Sequence, residues 1–276
     1  MKITKGIRKS HRYNEDKIII GKNYYMVCDG ATPLFKSNIK PSEAAWFVNF
    51  IKDNMPYKCD DVIKQLDKIS KDAFDEYNKI NTYQNDEVLS YPSCGIALLE
   101  IKDNMAYIYT IGDCEVVIKK KDGKFKRIIQ EQLIYFDNKA LDLMIKTRKE
   151  KNITLKEAVK ECNDILIKHR KLMNKPNGYP AFTISNNPNF EYSVNFFDLD
   201  DIKELYIYTD GITQAFDELK IYNSCEEMFE KSIDVNEEIE KIKERAFSDK
   251  DCNKYPRFKT IDDIAIIKIE MWKDVK

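Results

Sequence analysis

The sequence predicts an α+β protein in which antiparallel sheets carry helices on their outer faces. Three observations predict it. The strand-like runs are short, apolar and joined by Gly, Asn or Asp turn signals. The elements follow the order β, α, β-meander, α, β, α, β, without the strict alternation of a doubly wound parallel sheet. A chain of 276 residues that is 43% hydrophobic and 12% aromatic can bury a large core, so one domain over 1–276 is expected.

Lys17–Ile20 and Tyr24–Cys28 read as two strands around a Gly21-Lys22-Asn23 turn. Pro41-Ser42-Glu43 opens a helix whose apolar face is Ala44, Ala45, Phe47, Val48 and Ile51. A second helix runs from Asp60 to about Ile80, with Ile63, Leu66, Ile69, Phe74 and Tyr77 near helical spacing. Cys94–Ile101, Ala106–Ile111 and Glu115–Ile118 read as successive antiparallel strands turned by Asp103-Asn104 and Gly112-Asp113. Asp122-Gly123, set among lysines, is a solvated hairpin turn.

From 130 to 173 the pattern is helical, rich in Lys and Glu and free of Gly and Pro. It reads as an insertion covering the domain, with Leu141, Leu143, Met144, Ile165 and Ile167 turned inward. The stretch Asn174–Pro180 ends it, and strands return at Ala181–Ile184, Tyr192–Phe197 and Leu205–Tyr208. A charged helix over 226–247 and a last strand, Ile264–Ile269, complete the chain.

Composition narrows the function. A formal net charge of -1 offers no polyanion-binding surface, so nucleic acid is not an expected partner. No apolar stretch approaches a membrane span and the first residues are charged, so a cytoplasmic protein without membrane contact is expected. Seven cysteines form no Cys-x-x-Cys pair and only two histidines, His11 and His169, accompany them. That argues against zinc and against a hydrolytic triad, and for reduced thiols packed as small hydrophobes.

Four acidic clusters stand where strands should begin or end: Asn14-Glu15-Asp16, Asp29-Gly30, Asp210-Gly211 and Asp262-Asp263. Asp29 and Asp210 each follow a nearly continuous apolar run of the type buried on both faces. A carboxylate there is costly without a cation or donor beside it. Several such tips converging would make an all-oxygen site for hard divalent cations.

In this order, with Gly112-Asp113-Cys114 in mid-chain, the motifs resemble the metal-dependent Ser/Thr phosphatases of type 2C, over 14–269. The resemblance implies two packed antiparallel sheets flanked by helices in four layers. It also implies two Mn²⁺ or Mg²⁺ ions and a phosphorylated protein as substrate, attacked by a metal-bridging hydroxide; a monomer is expected. Asp29 would bridge the ions and the Gly30 carbonyl would bind one. Asp210 and Asp262 would hold the other, with Glu15 and Asp16 acting directly or through water. Asp29, Asp210 and Asp262 are thus the expected catalytic residues.

The sequence departs from the family pattern at four places. Where the family commonly has a phosphate-gripping Arg, this chain has His11, with Arg12 one residue on; both are candidates for phosphate binding. Ala31-Thr32-Pro33 replaces a loop that often begins with His. Asp113 offers a third-metal ligand, but its usual partner position is Gln214, so a third ion should be weak or absent. Asp263 replaces an Asn after Asp262 and is the second choice as ligand. These departures leave two alternatives open: a pseudophosphatase that binds a phosphoprotein or nucleotide, or a phosphatase of small metabolites.

Overall fold

The computed structural model describes residues 1–10, 12–31, 33–34, 38–82, 87–231 and 234–271. In chain order the elements are β1 (Lys2–Arg8), β2 (Asp16–Ile20), β3 (Tyr24–Ala31), α1 (Glu43–Asn54), α2 (Val62–Ile80), α3 (Glu87–Ser90), β4 (Ser93–Lys102), β5 (Met105–Ile111), β6 (Glu115–Lys120) and β7 (Phe125–Ile128). They continue as α4 (Glu131–Lys151), α5 (Leu155–Glu161), α6 (Asn163–Arg170), β8 (Phe182–Thr183), β9 (Ser193–Asp198), β10 (Ile202–Tyr208), α7 (Asp210–Thr213), α8 (Cys225–Lys231), α9 (Val235–Ser248) and β11 (Ile264–Glu270). A π turn, Gln214–Glu218, follows α7 directly.

Two antiparallel sheets result, in the orders β1-β11-β10-β6-β7 and β2-β3-β4-β5-β9, with β8 added to β4. The two-residue period of the strands builds the layers. Tyr25 and Val27 of β3, Ala97 and Leu99 of β4, and Leu205 and Ile207 of β10 point into one buried cluster between the sheets. Their alternates Met26 and Leu98 pack outward against Phe47, Val48 and Leu66 of α1 and α2. Tyr206 and Tyr208 pack outward on the other side, against Phe229, Ile239 and Ile242. Helix, sheet, sheet, helix is therefore the layer order, the architecture that the motif resemblance implies.

Local signals place the helices. The Ser42 side chain accepts from the Ala45 N–H and Asp61 from Lys64, capping α1 and α2. Thr154 and Glu157 form a capping box on α5. All seven cysteines are buried free thiols. Among the described residues, no helix is long and apolar enough to cross a membrane.

Five expectations need correction. First, β5 and β6 are not a hairpin: they lie in different sheets, and Gly112-Asp113 is the crossover between them. Gly112 has a φ of +80°, and a Cβ there would lie 2.7 Å from Gly95 Cα, so the chain crosses directly over β4. Second, the helix expected over 226–247 is two helices, α8 and α9. Third, Leu143 does not turn inward but is exposed, whereas Met144 is buried.

Fourth, β1 carries only two apolar side chains, Ile3 and Ile7, and was not foreseen as a strand. It forms because it pairs with β11 along its whole length and α9 packs on it, Gly6 sitting close under Ile239. Fifth, Asp29-Gly30 does not follow its strand but belongs to it, while Asp210-Gly211 does stand just past one. Asp29-Gly30 lies inside β3, paired with Gly95 and Cys94 of β4, and Asp210-Gly211 is the first turn of α7.

Candidate metal centre

Asp29, Asp113 and Asp210 converge where the two sheets and α7 meet. Each offers one carboxylate oxygen within 4.8 Å of the other two. Asp29 stands opposite Gly95 in the β3–β4 register. That glycine leaves the room Asp113 uses, since a Cβ on Gly95 would lie 2.2 Å from Asp113 Oδ1. Asp210 arrives from β10 through Thr209, which precedes α7 as its N-cap residue.

Asp16 lies across from Asp29 in the β2–β3 register and is fully buried. Its Oδ2 accepts a hydrogen bond from Thr209 Oγ1 at 2.6 Å, and Thr209 Oγ1 in turn accepts from the Ala265 N–H at 2.9 Å. One hydroxyl thus ties β2 to the β10–β11 pair. Asp16 Oδ1 and Asp210 Oδ1 are buried without a hydrogen-bond partner. Buried carboxylate oxygens left bare in this way need a counter-charge.

The two C-terminal aspartates divide their work. Asp263 serves the backbone: Oδ1 accepts from the Ser10 N–H and Oγ, and Oδ2 accepts from the Glu15 N–H at 2.6 Å. It fixes the loop that delivers Glu15 and Asp16. Asp262 Oδ1 accepts from the Asp263 N–H at 2.8 Å, and its Oδ2 is ion-paired with the Lys259 ammonium. Gln214, at the position expected to weaken a third ion, accepts the Asp262 N–H and donates to Glu218.

Glu15 Oε1 accepts from Ser42 Oγ at 2.6 Å, and the Glu15 carbonyl accepts from the Gly30 N–H at 3.0 Å. A Cβ on Gly30 would lie 3.0 Å from that carbonyl and 3.1 Å from Ala44 Cβ. The first acidic motif, β3 and the start of α1 are therefore packed at backbone distance. Among the described residues Arg12 is not hydrogen-bonded or ion-paired to these carboxylates; it is exposed, with its guanidinium over the Tyr13 ring. His11 and Thr32 lie outside the described residues.

Electrostatics follow from this crowding. Burial and then the charges of Asp16 and Asp210 push Asp29 well above the usual carboxylate range. Burial likewise raises Asp16 despite the Thr209 hydrogen bond. Asp113 is pushed up to about 7 by burial and then by Asp137, and Asp262 to about 7 by burial and then by Asp210. Without cations the centre retains protons near neutral pH.

A cavity of about 660 Å³ opens beside the centre, lined by Asp113 and Asp210 on one side and α4 on the other. Leu133, Asp137, Leu141 and Ile145 line it at intervals of four, one stripe of α4 interrupted by a single acid. Burial and the charges of Asp210 and Glu218 push Asp137 up to about 7. Arg127, in the same wall, is held by both carboxylate oxygens of Glu115 and by Asp217.

Sequence reasoning missed Asp137, Thr209, Gly95 and Lys259. Lys259, three residues before Asp262, had a local signal in its spacing. The other three act through strand register and helix placement, which no short motif encodes.

A sequence model of the family described as protein phosphatase 2C matches residues 9–244. No curated protein sequence matches. The serine/threonine phosphatase PstP/Ppp of Mycobacterium tuberculosis superposes with a TM-score of 0.57 at 13% identity, covering 99% of both chains. Stp1 of Staphylococcus aureus gives 0.56 at 10% identity, covering 99% of this chain and 95% of its own. A structure of the PstP catalytic domain in complex with two manganese ions gives 0.51 at 12% identity, covering 98% and 97%. These likenesses concern the fold, and the family match concerns the sequence itself. With that match running over most of its length, the chain belongs to the protein phosphatase 2C family and is a phosphoprotein phosphatase.

Proposed function

We propose that the chain hydrolyses phosphoserine and phosphothreonine in proteins at a centre of two Mn²⁺ or Mg²⁺ ions. The supporting observation is the grouping of Asp29, Asp113 and Asp210 oxygens within 4.8 Å. The residues fit such ions: every donor is an oxygen, and two buried carboxylate oxygens, on Asp16 and Asp210, lack a partner. Asp29, Asp113 and Asp210 would form the inner set, with Asp262 and Asp16 at its flanks, and with Glu15 and the Gly30 carbonyl as further oxygen donors. When bound, a pair of such ions would activate water and neutralise charge on a transferring phosphoryl group.

The chain's own residues supply the frame. Thr209 holds Asp16, and Asp263 holds the loop bearing Glu15, so these two flanking carboxylates are oriented by the protein itself. The cavity beside α4 admits the residues flanking the phosphorylated side chain, and its apolar stripe limits water there.

Purified protein stripped of metal and given Mn²⁺ with a phosphothreonine peptide and, separately, an aryl phosphate tests the proposal. Metal-dependent release of phosphate from both, lost in Asp210→Ala, is the expected result. Full activity of Asp210→Ala, or release only from small phosphates, would overturn it.

A further inference from the structure

Phosphoryl oxygens are recognised by cationic donors as well as by metal ions. Among the described residues, the other cations near the centre are mostly committed elsewhere. Arg127 is neutralised by Glu115 and Asp217. Lys220 donates to the carbonyls of Phe216 and Asp217, and Lys17 to those of Asn14 and Asp16. The Arg12 guanidinium lies over Tyr13.

Lys259 is placed differently. Its ammonium pairs with Asp262 Oδ2 and lies in the field of Asp210 and Asp29 as well. Its side chain is 48% exposed, and it also lines a separate cleft of about 900 Å³ between the α4–α5 turn and the loop before β11. An exposed, flexible stem whose buried head lies against the carboxylate cluster can turn from Asp262 toward an incoming anion without moving the backbone. Divalent charge taken up beside Asp262 would repel the ammonium paired with it, which favours the release of Lys259 as the centre fills.

We propose that Lys259 is the side chain that contacts the phosphoryl group of the substrate, leaving Asp262 as the centre fills. This deepens the phosphatase reading and rests on it, yet it can be measured without turnover. Lys259→Met keeps the length and removes the charge, and Lys259→Arg restores a cation. Calorimetry would follow Mn²⁺ binding to each protein, then inorganic phosphate binding to the Mn²⁺-loaded form; steady-state kinetics with an aryl phosphate would accompany it.

In Lys259→Met, Mn²⁺ should bind at least as tightly as in the wild type. Phosphate binding should weaken about tenfold or more, as for loss of a charged hydrogen bond. KM should rise more than kcat falls, and Lys259→Arg should recover most of both losses. Unchanged phosphate affinity and KM would overturn the proposal. Weakened Mn²⁺ binding in Lys259→Met would also overturn it, because Lys259 would then serve only to hold Asp262. A wild-type protein that binds Mn²⁺ and phosphate but releases none from a phosphopeptide would defeat the phosphatase reading while leaving the role of Lys259 standing.

Discussion

Gly95 shows how one missing methyl group decides the chemistry of the centre. Its Cα lies under Gly112, and any Cβ would collide with the Asp113 carboxylate and crowd the Asp113 and Cys114 amides. Gly95→Ala should therefore push Asp113 out of the group it forms with Asp29 and Asp210. We expect Mn²⁺ affinity to fall about 10- to 100-fold, the usual cost of disturbing the support of a metal ligand, while the far-ultraviolet spectrum stays native. A calorimetric titration checks this, and wild-type affinity would show that Asp113 stands outside the inner set. From sequence, Asp113 was visible only as a ligand for a doubtful third ion. Its place beside Asp29 depends on the crossover at Gly112, which reads locally like an ordinary hairpin turn. Asp29 and Asp210 were legible as candidates because acids beside buried apolar strands are costly, whatever the topology, whereas Asp16 and Asp262 stood out only through the order of the motifs.

At the scale of elements, strands and amphipathic helices were legible wherever period and caps agreed. The α1 and α2 spans follow from Ser42, Asp61 and the apolar spacing behind them. Pairing was less legible, since β1 owes its existence to β11 and α9 rather than to its own composition. The helical block of α4, α5 and α6 has its own small core, in which Met144, Ala158 and Cys162 are buried. Met144→Ala should destabilise that block by about 2–4 kcal/mol. Hydrogen exchange should accelerate in α4 and α5 while the sheets keep their protection. Equal acceleration throughout would show that the block and the sandwich unfold as one unit.

For the whole molecule, the decisive fact is that a two-sheet sandwich buries a cluster of like charges at one end. The folded, metal-free protein holds Asp113 and Asp262 at about 7, above the unfolded carboxylate value, so it binds more protons than the unfolded chain between about pH 4 and pH 7. These groups therefore favour folding at the acid end of that window, and their contribution declines as pH rises through it. Metal-free melting temperature should fall from pH 5 to pH 7.5, and saturating Mn²⁺ should flatten the trend. Binding of Mn²⁺ should release more protons at pH 6 than at pH 8. Melting curves and calorimetry in buffers of different ionisation enthalpy check both statements.

Phosphate release should depend on metal held by these aspartates. The most direct test is the initial rate of release from a phosphothreonine peptide as Mn²⁺ is titrated into metal-free protein, with Asp29→Asn alongside. The rate should start at background, rise to saturation with Mn²⁺, and stay at background in the variant. A rate independent of Mn²⁺, or none at any concentration from a folded wild-type protein, would contradict the account.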